Sequence, residues 1–180
     1  MNLANTFTLI RLVLIIPLSI FLIKDKYLIS IAILSTAGIC DLLDGYIARR
    51  FNQKTKLGAY LDPLTDKIFA FVTYTILVIQ SALPLWFFLF VTIKDISMFL
   101  GYIFLKINKL EIVPNPNIYG KFAAFLQVII MLQGIIHKGF YSIQWILFST
   151  ILICTFSSIV AWFLYLRNFF IVVESREKKA

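Results

Sequence analysis

The sequence predicts an all-α polytopic membrane protein: a six-transmembrane-helix bundle forming a single domain over residues 1–180. Three observations carry that expectation. Hydrophobic residues make up 61% of the 180-residue chain, and the mean hydropathy is +0.91; a soluble domain is nearer about 45–50% apolar. Six apolar runs, each close to the roughly 20 residues that cross a bilayer, alternate with short polar connections. The net charge of +8 is also unevenly spread. With both termini inside, thirteen of the seventeen Lys and Arg residues fall on the cytoplasmic face, Lys24, Lys26 and Lys138 fall outside, and Lys94 lies within a span. That is the inside bias of a membrane protein. It assigns the positive charge to anionic lipid headgroups and not to nucleic acid.

Residues 7–23 form the first predicted span. Arg11 lies within it and no basic stretch precedes it, which makes a poor signal peptide. Asn5, Thr8 and Arg11 recur every third residue and so lie near one helical face. Either Asn5 or Thr6 caps the helix while Arg11 snorkels, or the three point at an anionic ligand. Lys24-Asp25-Lys26 is a short outer turn. The second span, residues 27–49, carries Asp41 and Asp44 on one face. They sit near its C-terminus, where the helix dipole disfavours anions, so a cation has to compensate.

Residues 50–59 read as a polar cytoplasmic loop and 60–79 as the third span. Asp62 and Asp66 are one turn apart on one face. Pro63 suits a first turn, with Asp62 as the N-cap; capping leaves Asp66 unexplained. Gln80-Ser81 is the next outer turn, and residues 84–105 are the fourth span with Lys94-Asp95 near its middle. Adjacent helical residues point about 100° apart, so this pair either neutralises itself inside the bundle or contacts substrate. A polar loop, 106–117, holds Pro114 and Pro116. The fifth span, 118–136, starts with Gly120-Lys121, and His137 reads as an interfacial residue by an outer turn. The sixth span covers 143–166, extending toward 173, before a charged and frayed tail. Cys40 and Cys154 lie inside apolar runs and read as packed thiols, not a disulfide framework.

The chemistry gathers between Asp41 and Asp66. A charged side chain in or near a bilayer is costly and functional by default, and this window holds four aspartates. Four close carboxylates cannot all ionise without cations. Oxygen-only ligands favour Mg²⁺, Mn²⁺ or Ca²⁺, and two such ions clamp the attacking and leaving oxygens of an in-line displacement at phosphorus. Gly45 and Ala48 either let a nucleotide or phosphate approach the helix or let helices pack closely. Arg49 either forks onto phosphate or anchors the inner flank. A base must reach the acceptor; Asp66, one turn further into the membrane than Asp62, is the candidate. A divalent-cation channel also uses intramembrane carboxylates, but these aspartates sit at one end and do not run across the bilayer. An inactive relative is the third class, and the intact aspartate set argues against it.

The pattern D-x2-D-G-x2-A-R-x8-G-x3-D-x3-D resembles that of the CDP-alcohol phosphatidyltransferases. It is met by Asp41, Asp44, Gly45, Ala48, Arg49, Gly58, Asp62 and Asp66, eight identities over 26 positions with every spacing intact. The resemblance implies an enzyme that moves a phosphatidyl group from CDP-diacylglycerol to an alcohol and releases CMP. It implies that Asp41, Asp44 and Asp62 hold divalent metals, two ions of Mg²⁺ or Mn²⁺, with Asp66 near them as the base. Gly45, Ala48, Arg49 and Gly58 match positions that shape the nucleotide site, and a homodimer is implied.

The Asn5-Thr8-Arg11 start and the run from Leu61 to Lys67 resemble the glycerol-acceptor branch, which holds phosphatidylglycerophosphate synthases and the CDP-alcohol type of cardiolipin synthase. The first kind carries Arg-Glu in span four and a second Arg seven residues on; here Lys94, Asp95 and Tyr102 stand there. The cardiolipin branch carries a basic-Asp pair and an A-G-x-x-D-L-L-D-G run, matched from Ala37 to Gly45. A later G/S-K-x-x-T-x-x-Q element is met by Gly120, Lys121 and Gln127, with Ala124 in place of threonine. These matches put phosphatidylglycerol slightly ahead of glycerol-3-phosphate as acceptor, with Asn5, Thr8, Arg11, Lys94, Asp95 and Lys121 as candidates for an acceptor or lipid phosphate. A short chain without a targeting extension points to a bacterial inner membrane, with the active site and both termini in the cytoplasm; an organelle inner membrane after presequence removal is the alternative.

Overall fold

A computed structural model describes residues 3–50, 58–108, 117–140 and 143–177, with residues 3–8, 41–50, 58–63 and 175–177 described by backbone alone. Six α-helices run through the described residues: α1 Leu3–Ile23, α2 Tyr27–Arg50, α3 Gly58–Ile79, α4 Leu85–Ile107, α5 Ile118–Gly139 and α6 Gln144–Glu177. The order and most boundaries follow the apolar runs. The loop expected at 50–59 and the one at 106–117 lie largely outside the described residues.

Three expectations need correction. Helix α3 begins at Gly58, so Asp62 is its fifth residue and not its N-cap. Pro63 is the sixth residue of α3, beyond the first turn, and leaves the carbonyl of Ala59 without its helical donor. Helix α1 is already formed at Leu3, so Asn5 and Thr6 lie inside it and do not cap it. Helix α6 is 34 residues long and continues through Glu177, where a frayed tail was expected; Glu and Arg are good helix formers and carry it past the apolar run.

By length and composition, Leu85–Ile107, Ile118–Gly139 and Gln144–Glu174 are long and apolar enough to cross a membrane, and Leu9–Ile23 and Tyr27–Cys40 are shorter apolar stretches. Large apolar side chains face outward, among them Val13, Leu28, Phe125 and Phe156. Hydroxyls within the helices turn back on their own backbone. Ser19 donates to the Ile15 carbonyl, Thr73 to Phe69 and Thr155 to Ile151, each at 2.8 Å. Such bonds keep polar groups satisfied where water is absent.

The chain separates into two compact units, Met1–Pro84 with Met131–Gln144, and Leu85–Ile130 with Trp145–Ala180. In the first, α1 packs against both α2 and α3, over a core that includes Leu18, Leu22, Leu34, Leu77 and Ile135. Both α1 and α3 end in the same way. The Lys26 N–H donates to Phe21 and the Asp25 N–H to Leu22; the Ala82 N–H donates to Leu77 and the Ser81 N–H to Val78. These are paired Schellman closures, with Asp25 and Ser81 in the left-handed region at φ 56° and 58°. The Gln80 side chain then donates to the Leu22 carbonyl at 2.7 Å, and the Tyr27 hydroxyl donates to Asp25 at 2.6 Å. Helix α5 reaches this end through Gly139, where an added Cβ would lie 2.4 Å from Cγ of Tyr27.

In the second unit, α4, the first half of α5 and α6 are tied by specific contacts. The Asn117 side chain accepts from the Tyr119 N–H at 3.0 Å and caps α5. Cys154 is buried and its thiol faces the Ala123 carbonyl at 3.6 Å; both cysteines are free. The Tyr165 hydroxyl reaches from α6 to the Met98 carbonyl of α4 at 2.9 Å. Phe90 meets Trp162 edge-on, with centroids 6.5 Å apart.

Candidate active site

The residues of the D-x2-D-G-x2-A-R pattern fall in the last three turns of α2, and Gly58, Asp62 and Asp66 fall in the first three turns of α3. Helical rise then sets their heights. Measured from the far-end turns at Tyr27 and Ile79, Asp41 and Asp66 lie roughly 20 Å along their helices, and Asp44 and Asp62 both lie about 26 Å along. The two pairs therefore share two levels at the same end of the first unit. The side chains of Asp41, Asp44, Gly45, Ala48, Arg49, Gly58 and Asp62 lie outside the described ones, as do those of Asn5 and Thr8.

Asp66 is described in full, and its partner is Arg11. The guanidinium Nη1 of Arg11, on α1, forms an ion pair with Oδ1 of Asp66, on α3. The two side chains differ sharply in access: that of Arg11 is 4% exposed and that of Asp66 is 45% exposed. Each is the ninth residue of its helix, and the Gln80–Leu22 bond ties the same two helices at their other ends. So α1 and α3 run parallel. Arg11 does not snorkel to a surface. It is a buried cation between helices, which the 55-residue separation from Asp66 hid from any local pattern; the one sequence signal was an arginine inside an apolar run.

The other site candidates belong to the second unit. Lys94 is buried, and its ammonium lies 3.2 Å from Oδ1 of Asp95. The flexible lysine stem folds back to its neighbour despite the diverging helical directions. The two charges are thus in contact with each other. Lys121 is exposed, in the first turn of α5. His137, read as an interfacial residue and not as a site candidate, lies in the first unit, half-buried within α5.

Oxygen-only carboxylates at matching heights suit a hard divalent ion. The reachable face of Asp66 fits that use, since nearly half of its side chain remains open beside the arginine.

The class that fold and site define is an all-helical protein whose four aspartates stand at matching heights along two helices, α2 and α3, that both pack on α1. Residues 1–172 match the profile of the CDP-alcohol phosphatidyltransferase family. The chain belongs to that family, and it is an enzyme. Among its relatives, the CDP-diacylglycerol–glycerol-3-phosphate 3-phosphatidyltransferase of Aquifex aeolicus is 38% identical over 141 residues, covering 76% of this chain and 78% of that one. The protein of the same description from Pseudomonas fluorescens is 40% identical over 90 residues, 48% of this chain and 45% of its own. Human cardiolipin synthase (CMP-forming) is 29% identical over 119 residues, 66% of this chain and 38% of the human one. The match thus spans most of the Aquifex relative and well under half of the human one.

Proposed function

We propose that this enzyme transfers the phosphatidyl group of CDP-diacylglycerol to glycerol-3-phosphate and releases CMP. The observation that carries the choice of acceptor is the 38% identity over 76% of the chain to the Aquifex protein, whose description names that acceptor. The acceptor hydroxyl oxygen bonds to the phosphatidyl phosphorus, and the bond from that phosphorus to the oxygen of CMP breaks, CMP leaving with the electron pair. Asp66 takes the hydroxyl proton; a base has to reach the acceptor, and its carboxylate is open. Asp41, Asp44, Asp62 and Asp66 would hold one or two Mg²⁺ or Mn²⁺ ions, which when bound draw charge from phosphate oxygens. Gly45, Ala48 and Gly58 leave room for the nucleotide, and Arg49 meets the diphosphate with its planar fork. Asn5 and Thr8 are the contacts proposed for the acceptor phosphate, and Lys121, in the second unit, is proposed to meet a lipid phosphate.

Phosphatidylglycerol is the second reading. It is favoured by Lys94, already engaged with Asp95, and by Tyr102 at the position where the glycerol-3-phosphate enzymes carry a second arginine. In either case the enzyme works as a six-span, homodimeric protein of a bacterial inner membrane, with its aspartates and both termini on the cytoplasmic side. The asymmetric cations support that orientation.

The test is transfer by purified, detergent-solubilised protein given CDP-diacylglycerol and Mg²⁺, with each acceptor offered separately. Phosphatidylglycerophosphate from the first is the expected product. Cardiolipin from phosphatidylglycerol alone would move the assignment to the second reading. No CMP release with either would remove both, and activity that survives exhaustive chelation would remove the metal role.

A further inference from the structure

We infer that Arg11 is a positioning residue for the reaction: it holds the Asp66 carboxylate in place across the α1–α3 contact and does not itself touch substrate. The inference rests on the reading of Asp66 as the proton acceptor. Three features of the structure lead to it.

The first is access. Arg11 is 3% exposed as a residue, so a ligand cannot reach its guanidinium, while the Asp66 side chain stays nearly half open. A cation intended to grip an acceptor phosphate would show the reverse. The second is geometry. The pair is a single contact, Nη1 to Oδ1, made by a guanidinium whose donors lie in one rigid plane, so it limits where the carboxylate can sit as well as attracting it. The third is support. The helix that carries Arg11 is fixed against α3 at its other end by the Gln80 bond to the Leu22 carbonyl, at 2.7 Å. The Schellman closures beside that bond hold both chain ends. Arg11 therefore acts from a braced helix, which a positioning group needs if it is to fix a reacting atom closely.

This gives the first helix a part in the chemistry that the aspartate pattern does not contain. The pattern begins at Asp41, yet the orientation of its last member depends on a residue thirty positions upstream of that start.

The experiment compares wild-type protein with Arg11→Lys and Arg11→Gln, scoring kcat, the KM for each substrate, and thermal unfolding in detergent. A misplacement of a reacting group by about 1 Å costs on the order of 100-fold in rate. Arg11→Gln is expected to lose kcat on that order, while both KM values stay within about twofold, as for an interaction felt in the transition state only. Arg11→Lys keeps the charge and loses the fork, and is expected to lose kcat by roughly tenfold. If Arg11→Gln does not fold, Arg11→Lys decides alone. A raised acceptor KM with unchanged kcat would overturn the inference and make Arg11 a direct anion contact. So would a kcat per folded molecule equal to wild type in Arg11→Lys, which would leave only a structural role. Wild-type protein that releases no CMP would instead overturn the phosphatidyl-transfer reading, and this inference with it.

Discussion

Replacing Gly101 with alanine should destabilise the second unit, and Tyr165→Phe should abolish most of that effect. A Cβ built at Gly101 lies 2.5 Å from the Tyr165 hydroxyl oxygen, 3.2 Å from Cε1 and 3.3 Å from Cζ. The hydroxyl cannot stay there, and its 2.9 Å bond to the Met98 carbonyl is lost as the ring moves. An interhelical hydrogen bond among membrane helices contributes about 0.6 kcal/mol on average and at most about 1.7. Overpacking adds about 1–3 kcal/mol. Against these stands the helix propensity of alanine over glycine, about 1 kcal/mol in favour. Gly101→Ala alone should therefore cost about 1–2 kcal/mol. Tyr165→Phe alone should cost under about 1 kcal/mol. In the double variant the shortest contact is gone and a shift of a few tenths of an ångström relieves the others. Alanine there should be close to neutral, giving a coupling of about 1–2 kcal/mol. The assay is a double-mutant cycle of SDS-induced unfolding in mixed micelles, followed by circular dichroism. Costs that add to within about 0.5 kcal/mol would show that Gly101 is not reserved for the Tyr165 hydroxyl.

Three further outcomes are expected. Asp66→Asn should abolish transfer while leaving the helical spectrum intact; wild-type turnover by that variant would remove the base and metal roles together. Arg49→Ala should raise the KM for CDP-diacylglycerol more than that for the acceptor, and an unchanged donor KM in steady-state assays would count against a diphosphate contact. Ser81→Gly relieves a left-handed residue at φ 58°, a conformation costing a non-glycine residue roughly 1 kcal/mol; its SDS midpoint should rise, and a lower midpoint would mean that the serine side chain has a stabilising partner.

The helices were legible because each apolar run is punctuated by local chemistry, as at Lys24-Asp25-Lys26 and Gln80-Ser81. The family was legible because eight residues hold fixed spacing within one short window. What the sequence did not show depends on contacts between distant positions. Arg11 and Asp66 pair only because α1 and α3 lie parallel, and nothing near either residue announces the other. The bond from Tyr165 to Met98 uses a backbone acceptor, which any residue supplies. Helix ends were misjudged where charged residues extend a helix past its apolar stretch, as in α6, or where Pro63 suggested a start that Gly58 had already made. Lys94 and Asp95 were left open because helical direction argued against a pair that a long side chain can still form.

The two ties between α1 and α3 have a mechanical consequence. Arg11 meets Asp66 at one height and Leu22 meets Gln80 at another, about 16 Å further along α1 and about 21 Å further along α3 and its closing turn. A pair of rods pinned at two heights can flex together but cannot slide, since a slip of one turn, about 5.4 Å, would break both pins at once. These two helices therefore behave as a strut. In the reaction proposed above, a two-tailed lipid donor would reach Asp66 by the yielding of other parts of the chain, with this strut keeping its length throughout.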